Sequence, residues 1–256
     1  MTACDDEAVC IRHWDYSETS QTVGLFSRNH GLIRAIAKGS RRERAGFSGG
    51  VDLLTHADFS MTLKPASDLA TLVHWSLREN FPLIRTDMHA NKIGYFAADL
   101  VGRVLEGGDP HPNVFGALLA LLRTIGRSND EEGVHSTPTA ALNVCALIDF
   151  QWILLREAGY QPILGAILEG ADVTHFDPRE GGRVSATPTP TTWRVRTSTI
   201  TALQRVKDHQ GDALLLIDPE DANRANRLLA AYVREVIGEE PFTMRRLFGV
   251  LPKPSA

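Results

Sequence analysis

GLIRAIAKGSRRER, running from Gly31 to Arg44, decides how this chain is read. Leu32, Arg34, Ile36 and Lys38 alternate with Ile33, Ala35 and Ala37, the two-residue period of a strand with one face turned inward. Gly39-Ser40 then gives a turn signal. Lys38, Arg41, Arg42 and Arg44 follow within a few positions, offset only by Glu43. A strand that delivers four cations to one loop is built to grip a polyanion. The other reading of the same residues is a solvated surface loop.

Working outward, Asn29-His30-Gly31 is a tight-turn tripeptide, because Asn and Gly both tolerate positive φ. The strand after it therefore returns as a hairpin against Gln21 to Ser27, which holds Val23, Leu25 and Phe26. Ala8 to Trp14 reads as an earlier strand, and Val51 to Leu54, His56 to Leu63 and Leu69 to Leu77 as later ones. Short strands at close spacing predict a small closed β-barrel. An OB-type barrel fits the length and the basic loop, although spacing alone does not separate it from an SH3-like barrel.

The 256 residues carry a net charge of -4, with 43% hydrophobic and 23% charged residues. That composition belongs to a globular chain of one large domain or two small ones. The charge is unevenly spread. Between Gln21 and Gly50 there are six basic residues and one acidic, a local +5, which leaves about -9 for the rest. Such polarity suits a protein that meets phosphates with one patch. Cys4, Cys10 and Cys145 are too scattered for a disulfide framework, so a reducing, cytoplasmic setting is expected. The N-terminus is acidic and unlike a signal peptide. No apolar run has membrane-spanning length.

From Asn80 the period changes. Asp87 is an N-cap for a helix to about Leu105. His111-Pro112 opens a second helix, and Ser136-Thr137-Pro138 a third that Gly159 stops. Three amphipathic helices with short links describe a bundle. Gly165 to Arg194, rich in Gly, Pro and Thr, reads as irregular with one hairpin. Thr197 to Val206 and Asp218 to Ile237 are further helices. The expected class is α+β: a nucleic-acid-binding barrel over residues 1–80, then a helical bundle domain over 81–256 that carries an irregular insertion at 165–194.

Catalytic motifs are missing: there is no HExxH, no Walker A loop, no dinucleotide fingerprint and no GxSxG elbow. His175 and Asp177, two apart in a Thr-rich stretch, are the pair an enzyme would recruit for a metal or for acid-base work. His111 reads as a helix-entry residue, Cys145 as a buried small hydrophobe, and Trp75 and Trp152 as core anchors. Phe26 and Phe47 suit either a barrel core or a base-stacking face. The expectation is a binding protein with no catalytic residue, no cofactor and no metal. Lys38, Arg41, Arg42 and Arg44 are expected to contact phosphates, supported by Arg28 and Arg34. An RNA-binding OB module satisfies the same residues.

Several segments together resemble a known family. In order they are a strand, DYSET (Asp15 to Thr19), LFSRNHG (Leu25 to Gly31), AKGSRR (Ala37 to Arg42), REAGYQPIL from Arg156, FDPREGG (Phe176 to Gly182) and AYVREVIGEEPFTMRRLF (Ala231 to Phe248). The series is similar to the RecO family of bacterial DNA repair and recombination mediators. The resemblance implies an N-terminal OB-fold and a helical C-terminal domain. It also implies binding of single- and double-stranded DNA, annealing of complementary strands and, with RecR, help in loading recombinase onto strands coated by single-strand-binding protein. The acidic C-terminal tail of that coating protein is the second implied partner. Arg245 and Arg246, beside Phe242, Leu247 and Phe248, suit such a tail, cations meeting carboxylates and an apolar pocket meeting the ring; capping of the bundle is the other use of these residues. Many members carry a four-cysteine zinc site after the GYxPxL segment. Here no cysteine follows Gly159, and only His175 and His209 remain as ligands. A closed structural site needs four, so the insertion is expected to be a degenerate, zinc-free version.

Overall fold

The computed structural model describes residues 2–41, 46–47, 50–63, 69–127, 139–166, 170–184, 189–208 and 217–251. Among them the chain forms two compact units, Met1–Ser128 and Asn129–Ala256.

The first unit is built on five strands: β1 (Thr2–Asp15), β2 (Gln21–Ser27), β3 (Gly31–Ala37), β4 (His56–Leu63) and β5 (Ala70–Glu79). They close into a barrel in the order β1-β2-β3-β5-β4. All neighbours are antiparallel except β3 and β5, which pair in parallel through Ala35–Ala37 and Ala70–Leu72. Closure depends on β1. Its first half pairs with β4 and its second half with β2, and the register shifts between Cys10 and Arg12. An extra residue at such a point bends a strand and sharpens its twist, which lets one long strand serve both sides of a small barrel.

The inward positions are those the alternation predicts. Val23, Leu25, Ile33, Ala35 and Ala37 are in the barrel core with Phe59, Met61, Leu72 and Trp75. The small residues Ala8, Ala35, Ala57 and Ala70 leave room for Trp75 and for Phe47, which enters from the β3–β4 connection. Large-against-small filling of this kind is what a tapered barrel interior requires. Phe47 is thus a core residue. Phe26 is fully buried on the outer side, its ring 5.8 Å from that of Phe115. Neither has a face left for a base.

The turn into β3 needs glycine on two counts. Gly31 has φ +63°, and a Cβ there would lie 2.1 Å from the Asp109 carbonyl oxygen. Val51 to Leu54, expected as a strand, instead lies outside the strands and ends in a turn at Leu53-Leu54. Leu54 takes φ 56°, and this turn is fastened to β1 by hydrogen bonds from Leu54 N to Cys10 O (2.8 Å) and from Cys10 N to Thr55 O (3.1 Å). Val51 and Leu54 are buried and Leu53 partly so without joining the ladder, which periodicity cannot distinguish from a strand.

Three helices complete this unit: α1 (Pro82–Thr86), α2 (Met88–Val104) and α3 (Pro112–Gly126). Asp87 caps α2 by accepting from Ala90 N at 2.7 Å, and Pro112 occupies the first turn of α3. The expected helix opening at Ser136 to Pro138 lies outside the described residues.

The second unit contains α4 (Thr139–Glu157), β6 (Val173–Asp177), β7 (Gly182–Val184), β8 (Trp193–Arg196), α5 (Thr197–Asp208), α6 (Pro219–Ile237) and α7 (Phe242–Phe248). Segment 165–194, expected as irregular with one hairpin, contributes to a three-stranded sheet in the order β7-β6-β8. Strands of three to five residues are too short to show a period, so the Gly-Pro-Thr composition hid them. Phe176 anchors the sheet, stacked on Trp193 at 5.8 Å and edge-on to Tyr232 of α6 at 5.4 Å. Gly182 sits where a Cβ would fall 2.2 Å from the Ile163 carbonyl oxygen. That close approach brings the GYQPIL and FDPREGG segments together. Cys145 and Trp152 are buried, as their apolar helical face predicts.

Candidate nucleic-acid interface

Because β3 turns Ile33, Ala35 and Ala37 inward, Arg34 points out, the next outward place falls to Ile36, and the one after it to Lys38 just past the strand. Register extends this face across three strands. Arg12, Gly24 and Arg34 form one row, and Trp14, Thr22 and Ile36 form the next. Trp14 is 48% exposed although it lies within a strand, and Tyr16, in the β1–β2 loop, is 66% exposed. The outer face of β1–β3 thus ends in aromatic surface beside cations.

One buried side chain fixes the loops around it. Gln21, 3% exposed, accepts from Ser40 Oγ (2.9 Å) and Val51 N (3.0 Å) and donates to Val51 O (3.3 Å). It therefore ties both ends of the 38–51 connection to the start of β2. Gly39 N donates to Ser20 Oγ at 3.0 Å, and Arg41 N to Thr19 O at 3.2 Å. The DYSET loop and the AKGSRR turn are held side by side by these bonds.

The six expected cations are not equivalent. Arg34 and Lys38 are exposed and have no ion-pair partner among the described residues. Arg41 is exposed but pairs with Asp15 across the two loops. Arg42 and Arg44 lie outside the described residues. Arg28 is engaged internally. It pairs with Glu7, and its guanidinium lies 4.8 Å over the Phe115 ring. Glu7 also receives His56 Nε2 and Arg78 Nη1, both at 2.8 Å. Burial alone would raise the Glu7 carboxyl, but hydrogen bonds from Arg28 and His56 and their charges bring it below its ordinary value. Arg12, which shares the row with Arg34, donates to Asp99 of α2 at 2.9 Å.

The sequence reading missed Trp14 and Tyr16. For Tyr16 the signal was present, since it sits in a loop of Asp, Ser, Glu and Thr; for Trp14 it was not, because it shares the sequence phase of the inward Ala8 and Cys10 and only the register shift between Cys10 and Arg12 turns it outward. An aromatic in a polar loop has no core to fill.

In the second unit, α7 buries Met244 and exposes Arg245, Arg246 and Phe242, the last 72% exposed. The Arg246 guanidinium lies 5.7 Å over the Phe242 ring. Phe248 is half-buried, and its carbonyl accepts from Arg227 at 2.6 Å. Among the described residues no hydrogen bond joins His175 to Asp177. Asp177 is 7% exposed and accepts from Arg179 N at 2.9 Å and from Thr191 Oγ1 at 3.4 Å, which holds the β6–β7 turn. Among the described residues no three His, Cys, Asp or Glu side chains are grouped to hold a metal, and no helix is long and apolar enough to cross a membrane. His209 lies outside the described residues.

Two family models match this chain: recombination protein O N terminal over residues 1–81 and recombination protein O C terminal over residues 85–246. Among curated relatives, the DNA repair protein RecO of Anaeromyxobacter sp. (strain K) is 28% identical over 254 residues, 95% of each chain. That of Rhodopirellula baltica is 32% identical over 155 residues, 60% of this chain and 53% of the relative. That of Roseiflexus sp. (strain RS-1) is 26% identical over 251 residues, 92% of this chain and 81% of the relative.

Proposed function

The chain belongs to the recombination protein O family, and on that premise we propose that it is a DNA repair and recombination mediator whose barrel, of the OB type, is the nucleic-acid-binding domain. The observation that carries this reading is the outer face of β1–β3 and the loops at its end, which hold Arg34 and Lys38, exposed and without an ion-pair partner among the described residues, together with exposed Trp14 and Tyr16. Cations there neutralise phosphates without reading sequence. The aromatic rings stack on unpaired bases, which all offer a π-face. Phosphate contacts serve double strands as well, whereas stacking adds affinity only for single strands. Annealing then needs no catalytic residue. Neutralising two backbones held nearby lowers their repulsion, and base pairing does the rest.

The helical part, in this reading, carries the partner sites. Arg245 and Arg246, flanked by Phe242 and Phe248, receive the acidic tail of the single-strand-binding protein, and RecR joins in loading recombinase onto coated strands. Salt-dependent binding to single-stranded DNA, with and without the coating protein, tests the reading. A steep fall of affinity with salt supports it. Affinity that is absent at low salt, or indifferent to salt, rejects it.

A further inference from the structure

In the second unit the GYQPIL and FDPREGG segments enclose a cleft of about 490 Å³ against the last turns of α6. Tyr232 lines it from below. The residue is only 4% exposed, and its ring is set edge-on against Phe176, which fixes the hydroxyl. That hydroxyl lies beside Gly181, where an added Cβ would come within 3.2 Å of it, and it has no hydrogen-bond partner among the described residues. A buried hydroxyl left unpaired is costly, so the cleft is built to bring it one. Burial, then the nearby Tyr160, raises the Tyr232 hydroxyl above its ordinary value, so it stays neutral and can both donate and accept. Gly159, with φ +81° just past α4, brings Tyr160 to the cleft, where its ring stays 47% exposed. Glu180 is exposed and has no ion-pair partner among the described residues. Glu235 pairs with Arg234 through Oε1, which leaves Oε2 for a second cation. It stands in the last turn of α6, which Gly238 ends in the left-handed conformation, so the negative end of the helix dipole adds to the carboxylates. Arg179, in the same turn as Glu180, offsets part of this charge.

We infer that this cleft is the docking site for an arginine side chain presented by a partner protein. The guanidinium is planar. It stacks on the Tyr160 ring while its fork of N–H groups reaches the Tyr232 hydroxyl oxygen and the carboxylates of Glu180 and Glu235. A lysine ammonium is a point charge without a face to stack, so it satisfies the same groups less fully. Ile163, 64% exposed, lies along the cleft and gives apolar contact to the residues on either side of the arginine, which a free amino acid does not have. An arginine anchor seated among aromatic and carboxylate groups, with apolar surface around it, is a recurrent centre of protein interfaces. The sign is opposite to that of α7, where Arg245 and Arg246 call for an acidic ligand. Here an acidic ligand would meet two carboxylates and a helix C-terminus against a single arginine.

The probe is the tripeptide Ac-Gly-Arg-Gly-NH2, titrated into the full-length chain with its tyrosine rings carbon-13 labelled, and the ring signals of Tyr160 and Tyr232 are followed by NMR. Both should shift and saturate, with millimolar affinity. The citrulline tripeptide, equal in shape but uncharged, should bind about tenfold more weakly or worse. Free arginine should also bind more weakly than the arginine tripeptide, because only the tripeptide reaches Ile163. Tyr232→Phe removes the hydroxyl alone, and Glu180→Gln with Glu235→Gln removes the charge alone. Each chain should lose about threefold or more in affinity, with circular dichroism reporting its fold. Three results with the native chain overturn the inference whether or not the variants fold: no saturable shift of either ring, a citrulline or Ac-Gly-Glu-Gly-NH2 probe that binds as well as the arginine one, or free arginine that binds as tightly as the tripeptide. So does a folded Tyr232→Phe chain of native affinity.

Discussion

Arg123, near the end of α3, clasps Glu79, at the end of β5, from two sides: Nε donates to Oε2 at 2.8 Å and Nη2 to Oε1 at 2.6 Å. The same carboxylate lies 2.8 Å from His56 Nδ1, and His56 Nε2 lies 2.8 Å from Glu7. Both contacts are hydrogen bonds only when each ring nitrogen carries a proton. A chain of polar contacts thus runs from β1 through β4 and β5 to α3, with Phe115 edge-on to the His56 ring at 5.9 Å. It joins the barrel to α3 beside the Phe26–Phe115 ring contact, within one compact unit.

The clasp sets an acid limit. The Arg123 hydrogen bond, above all, holds the Glu79 carboxyl down at about 2, while burial opposes it. A carboxyl depressed in the fold stabilises above its unfolded pKa and loses that contribution as pH falls through the folded one. Stability should therefore decline from about pH 4.5 toward pH 2, as thermal unfolding across that range will report. Arg123→Ala should lower stability at pH 7 by about 1 kcal/mol, the upper range for a pair this exposed, and should weaken the acid dependence.

Gly31→Ala and Gly182→Ala should each destabilise the protein by about 2 kcal/mol or more, because a new Cβ would press on a backbone carbonyl. Gly107→Ala is the control, since nothing lies within 4 Å of a Cβ there. Melting temperatures of the three variants should separate by position.

Removing Arg34 and Lys38 together should weaken single-stranded DNA binding and reduce the magnitude of its log-log salt slope by roughly 1.4, two counterions at about 0.7 each. Trp14→Ala should behave differently. Its loss should fall on single strands rather than duplexes, cost about 1–3 kcal/mol if a base stacks there, and leave the slope unchanged. Fluorescence anisotropy over a salt series with both substrates distinguishes charge from stacking.

Arg28 and Arg41 should part company. Arg28→Ala removes a partner from Glu7 and a cation from the Phe115 ring, so its principal effect should be a lower melting temperature. Asp15→Asn releases Arg41 and should tighten DNA binding at low salt. An Asp15→Asn protein with unchanged affinity would show that Arg41 does not reach the strand.

For the second unit, Arg245→Ala with Arg246→Ala should abolish binding of an acidic peptide ending in an aromatic residue while leaving the melting temperature near native, because both side chains are exposed and Met244 supplies the burial. Isothermal titration of that peptide checks it.

The alternation from Leu32 to Lys38, the turn at Asn29 to Gly31 and the cap at Asp87 were legible in the sequence, because period and turn chemistry act over a few residues. So was the outward phase of Arg34 and Lys38. The tertiary structure alone decided which of the described cations pair within the chain. Glu7 meets Arg28 and Asp15 meets Arg41 only once strand register brings residues 21 and 26 positions apart side by side. Register likewise joined β6, β7 and β8 into a sheet, and put Trp14 on an open face. Side-chain partnership is a property of distance in space, and composition and spacing carry no information about it beyond the local turn.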